Sequence, residues 1–521
     1  MSELRTFIPG ICFILLLSLH LAAATPQIFR LVSEEPRDLD PINDLGSTPV
    51  RNLFEGLVAR DPKTAEPIPA AAEKWIRSED GKRWTFTIRQ NAKWSNGDPV
   101  TAQDFVNSWI RMLTPSNAAM NAYFAYSIRN ARGFNRGDVK DPKQLGFKAL
   151  STQVLSVELE DPIPYFLELL DNPCFFPVHE NTVKKFKGNW TRPDHIVSNG
   201  PFMLQEWRLN HVMTLIPNPH YWDRQNIKLE QIRILATESQ TLPEKLFRTK
   251  QIDVSPVPQA SLDSWRHDKG GAFHSEPWFN VSFVVANLKK PPLNDRRFRQ
   301  ALALALDREK LVKYVTRGNE EPAGSFSVSM GTYQPVTKIP LDGSGVVRAK
   351  ALMKEMGFTS AEKVPNITLI FYHDENVRNI VEALQGMWQQ NLGIKIKLQA
   401  EEKKVYIDDL RTKNFDIAYS GWSADYPDPS AFLDLWMTGA GNNDAGFSNT
   451  EYDGLLKEAL KQPKEDARFA IFHKAEEILA NEMPAVPIRF GRKNYLLNPK
   501  VRGLYPNSQN IHPLKYVWIG E

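Results

Sequence analysis

Ile367-Thr-Leu-Ile-Phe-Tyr372, the segment from Asn376 to Asn391, Gly393, and Ile394-Lys-Ile-Lys-Leu398 together decide the architecture of this chain. The first is a short apolar run of β-branched and aromatic residues, which predicts a strand. The second repeats its apolar residues at helical spacing. Gly393 stands where that helix should stop, because glycine takes the left-handed conformation of a helix end without steric penalty. The third run predicts a second strand, and a further strand is expected near Phe415-Asp-Ile-Ala-Tyr419. Strand, helix and strand in this order argue an α/β unit, with ligand chemistry at the strand ends. The loop after Tyr419 is therefore where a site is expected.

Outward from this stretch the pattern stays mixed. Trp84-Thr-Phe-Thr-Ile-Arg89 alternates as a half-buried strand, and Thr101 to Arg111 forms a helix that places Phe105, Trp109 and Met112 on one face behind a threonine cap. Arg296 to Val315 reads as one amphipathic helix with Ala301, Leu302, Ala305 and Leu306 inward. No internal repeat is visible, and the 37 prolines are spread along the chain, which favours many ordered loops over one long linker.

The chain begins Met1-Ser-Glu-Leu-Arg5, runs through an apolar stretch from Phe7 to Leu21 and reaches Ala22-Ala23-Ala24. That is the order of a secretory signal peptide, with cleavage expected near Ala24. Pro9, Gly10, Ser18 and His20 interrupt the stretch, which is shorter than the roughly 20 residues of a membrane span. The residues before Cys12 do not suit a lipid anchor. The rest is expected to be soluble outside the cytoplasm, in the periplasm, with Cys174 as its one cysteine, so that stability comes from packing and not from an internal disulfide. The 64 basic and 61 acidic residues leave a formal net charge of +3 and are mixed along the chain, which gives nucleic-acid binding no support. Aromatic residues make up 11%, with 13 tryptophans, and a polar-tipped aromatic cleft is one use for such an excess.

A series of short strings then carries a resemblance. They are Leu39-Asp40-Pro41, Asn52-Leu-Phe-Glu-Gly-Leu57, Ala72-Glu-Lys-Trp75, Arg89 to Phe105, Asn199-Gly-Pro-Phe202, Asn218-Pro-His-Tyr-Trp222, Pro292 to Arg299, Ala305-Leu-Asp-Arg308 and Gly421-Trp-Ser-Ala-Asp-Tyr-Pro-Asp-Pro429. In order and spacing these resemble the oligopeptide and dipeptide solute-binding proteins of ABC importers, family 5 of the extracellular solute-binding proteins. The resemblance implies an α/β, class II periplasmic-binding-protein-like fold, a bilobal clamshell with an extra lobe. Lobe I would take residues 25–47, 172–280 and 492–521, lobe II residues 48–171, and lobe III residues 281–491. The cleft would lie between lobes I and III, with hinge crossings near 280 and 491.

The same resemblance implies a monomeric, non-catalytic receptor. It would capture short peptides and deliver them to permease subunits in the inner membrane, which work with cytoplasmic ATPase subunits. It needs no cofactor or metal. A receptor for peptides of unspecified sequence addresses what they share: an ammonium group, a carboxylate and an extended backbone. Asp425 matches the family's acidic position for the ammonium, with Gly421 allowing close approach, Trp422 as a flat wall and Ser423 beside it. As a plain loop acid, Asp425 would instead stabilise a turn, which is the reading that suits Asp428. Glu35 matches an acidic position ahead of Leu39-Asp40-Pro41, and either faces basic ligand side chains or is a solvated strand-end acid. Tyr123 and Tyr126 both lie where the family places a ligand-contacting tyrosine, and either is equally a packed aromatic. Phe279 and Asn280 lie at the crossing into lobe III, as main-chain contacts or as a buried strand.

The chain also departs from the family. Lys403 stands where a ligand-facing tryptophan often precedes an aromatic, here Tyr406, and Tyr419 replaces an arginine. Arg378 and Arg411 lie one place from the basic residues that meet a ligand carboxylate. Hydrolysis is the rival class, but no Gly-x-Ser-x-Gly elbow, zinc-binding His-Glu-x-x-His string or phosphate-binding loop appears. Another cargo on the same fold, such as a metal chelate, haem, an oligosaccharide or a cell-wall peptide, is the closer rival.

Overall fold

The structure, a computed structural model, describes residues 26–44, 46–360, 363–462 and 464–521. The signal-peptide reading of residues 1–24 lies outside the described residues. Among the described residues no helix is long and apolar enough to cross a membrane.

The stretch that decides the architecture forms as expected, with shifted ends. Ile367–Tyr372 and Ile396–Glu401 are parallel strands joined by the helix Glu375–Leu392. Asp374 caps that helix by accepting from the Val377 amide, and Gly393 ends it at φ 72°. Ile417–Ser423 lies parallel to Ile367–Tyr372 on the other side. The strand expected to stop at Tyr419 thus runs four residues further, because Gly421, Trp422 and Ser423 pair with Ser282, Val281 and Asn280.

This unit sits in a seven-stranded sheet in the order Val254–Pro256, Ala485–Leu497, Phe273–Ala286, Ile417–Ser423, Ile367–Tyr372, Ile396–Glu401, with Glu321–Pro322 added against Ala485–Leu497. Its middle is antiparallel. The long strands Phe273–Ala286 and Ala485–Leu497 run side by side, and their register breaks between Pro277 and Val281. A four-stranded sheet forms from Ile28–Ser33, Gln231–Ala236, Val212–Pro217 and Phe202–Arg208, and another from Ala72–Arg77, Arg83–Ile88, Val154–Glu158 and Phe147–Ala149.

Three large hydrophobic clusters accompany the three sheets. One spans residues 281–488, one is built mainly from residues 42–175, and one combines residues 29–54, 176–234 and 497–519. In the second, the helix Ala102–Leu113 carries a capping box between Thr101 and Asp104, and Phe105, Trp109 and Met112 are fully buried beneath it. Tyr426 and Ala431 also join this cluster from the far end of the chain.

The expected single helix from Arg296 to Val315 is broken in two. Arg296–Leu304 ends at Ala305, and Asp307 starts a new turn by accepting from the Lys310 amide, after which Leu311–Thr316 is a π-helix. Helical apolar spacing continues across the break, so periodicity alone does not reveal it. The aspartate's competing hydrogen bond does.

Candidate functional site

The site is built where Ile417–Ser423 ends against Asn280, midway along the antiparallel strand Phe273–Ala286. Beyond the last paired residues, the Ala424 amide donates to the Phe279 carbonyl (2.9 Å), and the Phe279 amide donates to the Ser508 carbonyl (2.9 Å). The Asn280 side-chain amide ties the strands together, donating to the Trp422 carbonyl and to the Ser423 hydroxyl, each at 3.1 Å. Gly421 fits close packing within this ladder, since a Cβ there would lie 3.0 Å from the Val281 carbonyl oxygen. The Trp422 indole donates to the Ala431 carbonyl (2.7 Å), which fixes the ring against the turn that follows.

Asp425 stands at the head of this arrangement. Its side chain is open to water, yet the surrounding protein raises its carboxyl to about 6, against which a hydrogen bond from Tyr123 acts to hold it down. Among the described residues no Lys, Arg or His pairs with it. Tyr123 is 40% exposed, and burial together with the neighbouring Asp425 and Cys174 raises its hydroxyl's pKa. Asp425, Tyr123, Phe279, Asn280, Trp422 and Ser423 are therefore brought to one place.

The residues after Asp425 are structural. Tyr426 stacks on Tyr165 with ring centroids 4.3 Å apart. Asp428 accepts from the amide (2.9 Å) and hydroxyl (2.7 Å) of Ser430 and pairs with Arg468 at 2.5 Å, which makes it a turn-forming acid with a fixed counter-charge. Behind this turn lies a polar cavity of about 690 Å3, lined by Tyr165, Glu168, Phe279, Asp428, Arg468 and Gln509 among others. Ser508, Tyr165 and Arg468 carried no signal in the sequence. Each is a single ordinary residue whose partner is distant in the chain.

The remaining candidates lie elsewhere. Both oxygens of Glu35 are taken by protein donors, the Trp207 indole (2.6 Å) and the Asn210 amide (2.9 Å), so it clamps the hairpin between Phe202–Arg208 and Val212–Pro217. The Tyr126 hydroxyl donates to Asn135 (2.7 Å). Tyr406 is buried in the largest cluster, where its hydroxyl donates to the Tyr419 carbonyl (2.7 Å). Arg378 lies over the ring of Phe371, and Arg411 is exposed. Among the described residues no cluster of His, Cys, Asp and Glu has the geometry to hold a metal ion.

Residues 66–444 match the family described as bacterial extracellular solute-binding proteins, family 5. The chain is 36% identical over 493 residues to the dipeptide-binding protein DppE of Bacillus subtilis, covering 93% of this chain and 89% of that one. The Escherichia coli murein tripeptide binding protein MppA superposes with a TM-score of 0.86 at 32% identity, covering 96% of this chain and 99% of that one. The Haemophilus influenzae OppA in complex with the peptide RPPGFSPFR gives a TM-score of 0.82 at 28% identity over 95% and 99% of the two chains. These likenesses show the α/β, periplasmic-binding-protein-like fold expected from the sequence. By the extent of the family match and by its identity with curated members, this chain belongs to the bacterial extracellular solute-binding proteins of family 5.

Proposed function

We propose that this chain is the receptor of an ABC importer, capturing short peptides outside the cytoplasm and passing them to membrane permease subunits. The observation that carries the reading is Asp425, a water-accessible carboxylate just past the paired residues Ser423 and Asn280, with a tyrosine neighbour that holds its pKa down and, among the described residues, no cation paired with it. A peptide ammonium supplies the missing charge in a charge-assisted hydrogen bond. The relatives named for dipeptides, murein tripeptide and a bound nonapeptide support this cargo class. The protein is a monomer that works by binding and release and catalyses no reaction.

The lobes are assigned as 25–47, 172–280 and 492–521 for lobe I, 48–171 for lobe II, and 281–491 for lobe III. The separate clusters support the division in its main lines, although Val50, Leu53 and Phe54 pack with lobe I and Ile42, Cys174 and Phe175 with lobe II, and the register break near Asn280 is a natural place for a hinge between two long strands. Gly421, Trp422, Ser423, Phe279, Asn280 and Tyr123 frame the ammonium site, while Glu35, Tyr126 and Tyr406 hold the scaffold.

Calorimetric titration with a short unblocked peptide and its N-acetylated form tests the reading. The free amine binds and acetylation weakens it strongly. Equal affinities would remove ammonium recognition, and failure of every short peptide to bind would remove the cargo class.

A further inference from the structure

A second carboxylate, that of Asp444, lines a cavity against the same two strands. Between Phe283 of one strand, Trp422 of its neighbour, and Trp436 and Asp444 beyond them is a cavity of about 120 Å3. Whole small-molecule ligands occupy pockets of roughly 300–1,000 Å3, whereas one water takes about 30 Å3 in the liquid. The cavity therefore suits one side chain.

Its chemistry is specific. Asp444 lines the cavity half-buried, and no donor or cation among the described residues pairs with its carboxylate. The nearby cations do not close on it. Lys413 directs its ammonium to the main-chain carbonyls of Asn443 (2.7 Å) and Asp444 (3.3 Å), and Arg411 acts only at longer range. An apolar side chain entering here would strip water from a carboxylate and give nothing back. A lysine or arginine side chain would lay its stem along the indoles and bring its charge to Asp444.

We propose that this cavity is a subsite for a basic side chain of the cargo, with Asp444 as its specificity-determining residue. The assignment rests on the peptide reading above. With the ammonium at Asp425, a ligand running back along Ile417–Ser423 at roughly 3.3 Å per residue reaches the cavity wall at Trp422 and Gly421 with its second or third residue.

The test uses the full chain and five peptides: trialanine, Ala-Lys-Ala, Ala-Ala-Lys, and the two analogues with norleucine in place of lysine. Norleucine keeps the stem and removes the charge. The wild type is expected to favour lysine over norleucine by about tenfold or more at one of the two positions. Asp444→Asn, nearly isosteric, abolishes that preference and leaves trialanine affinity unchanged, which also reports that the variant is folded. Lysine and norleucine binding alike in the wild type, or a preference that survives in Asp444→Asn, would overturn the subsite. Failure of all five peptides to bind the wild type would sink the peptide reading itself, and the subsite with it.

Discussion

The hydroxyl of Tyr123 is a neighbour of the Asp425 carboxylate and acts to hold its pKa down, which sets the short 3-10 helix Ala122–Ser127 beside the segment after the strand Ile417–Ser423. A donor there favours the ionised acid, while the enclosing protein disfavours it. Asp425→Asn keeps the shape and removes the charge. Truncating one partner of a desolvated charge pair costs about 2 to 5 kcal/mol. Titration of Asp425→Asn with unblocked trialanine should therefore show an affinity loss of about 30-fold or more, since 1.4 kcal/mol is tenfold. Thermal unfolding should be nearly unchanged.

Binding should also depend on pH in a defined direction. The carboxyl of Asp425 titrates at about 6, and the peptide ammonium pairs with its ionised form. Affinity for trialanine should be level above roughly pH 7 and fall as pH drops through 6, approaching tenfold per unit at lower pH. Tyr123→Phe removes a bond that holds this value down, so the midpoint should move upward. Asp425→Asn should flatten the dependence. A midpoint unmoved by Tyr123→Phe would mean that the tyrosine does not act on the carboxylate.

Glu35 should separate stability from binding. Its oxygens accept from Trp207 and Asn210, and hydrogen bonds to charged groups contribute about 1.5 to 3 kcal/mol. Glu35→Ala should lower stability by roughly 2 kcal/mol in denaturant titration. Peptide affinity should stay the same. A loss of affinity for basic peptides at unchanged stability would return Glu35 to the ligand.

At Gly491 an added Cβ would lie 2.7 Å from the Asn280 side-chain oxygen, 2.9 Å from its Cβ and 3.0 Å from Trp278. Gly491→Ala therefore forces a shift where the two long strands cross, at a cost of about 1 to 3 kcal/mol. Small-angle scattering should show a decrease in radius of gyration on peptide binding by the wild type and a smaller one in the variant. An equal decrease in both proteins would place the hinge elsewhere.

The sequence by itself determined the elements whose causes are local. The run Ile367–Tyr372, the helix ending at Gly393 and the Thr101–Asp104 capping box follow from spacing and cap chemistry within a few residues, and all are present. The proposed ammonium partner, Asp425, was legible only through the family's motif order. Tertiary structure decided the rest. Ser420 to Ser423 contains one glycine and two serines, weak strand formers, and is a strand because Asn280, Val281 and Ser282 pair with it. Tyr123 and Tyr126 are three residues apart and equivalent by spacing, yet one meets Asp425 and the other Asn135. Glu35 and Tyr406 looked like ligand contacts, whereas a distant hairpin occupies one and the core encloses the other. A short-range pattern can specify a strand or a cap, because each needs only neighbouring residues. Which carboxylate is left without a partner depends on every group the fold brings near it.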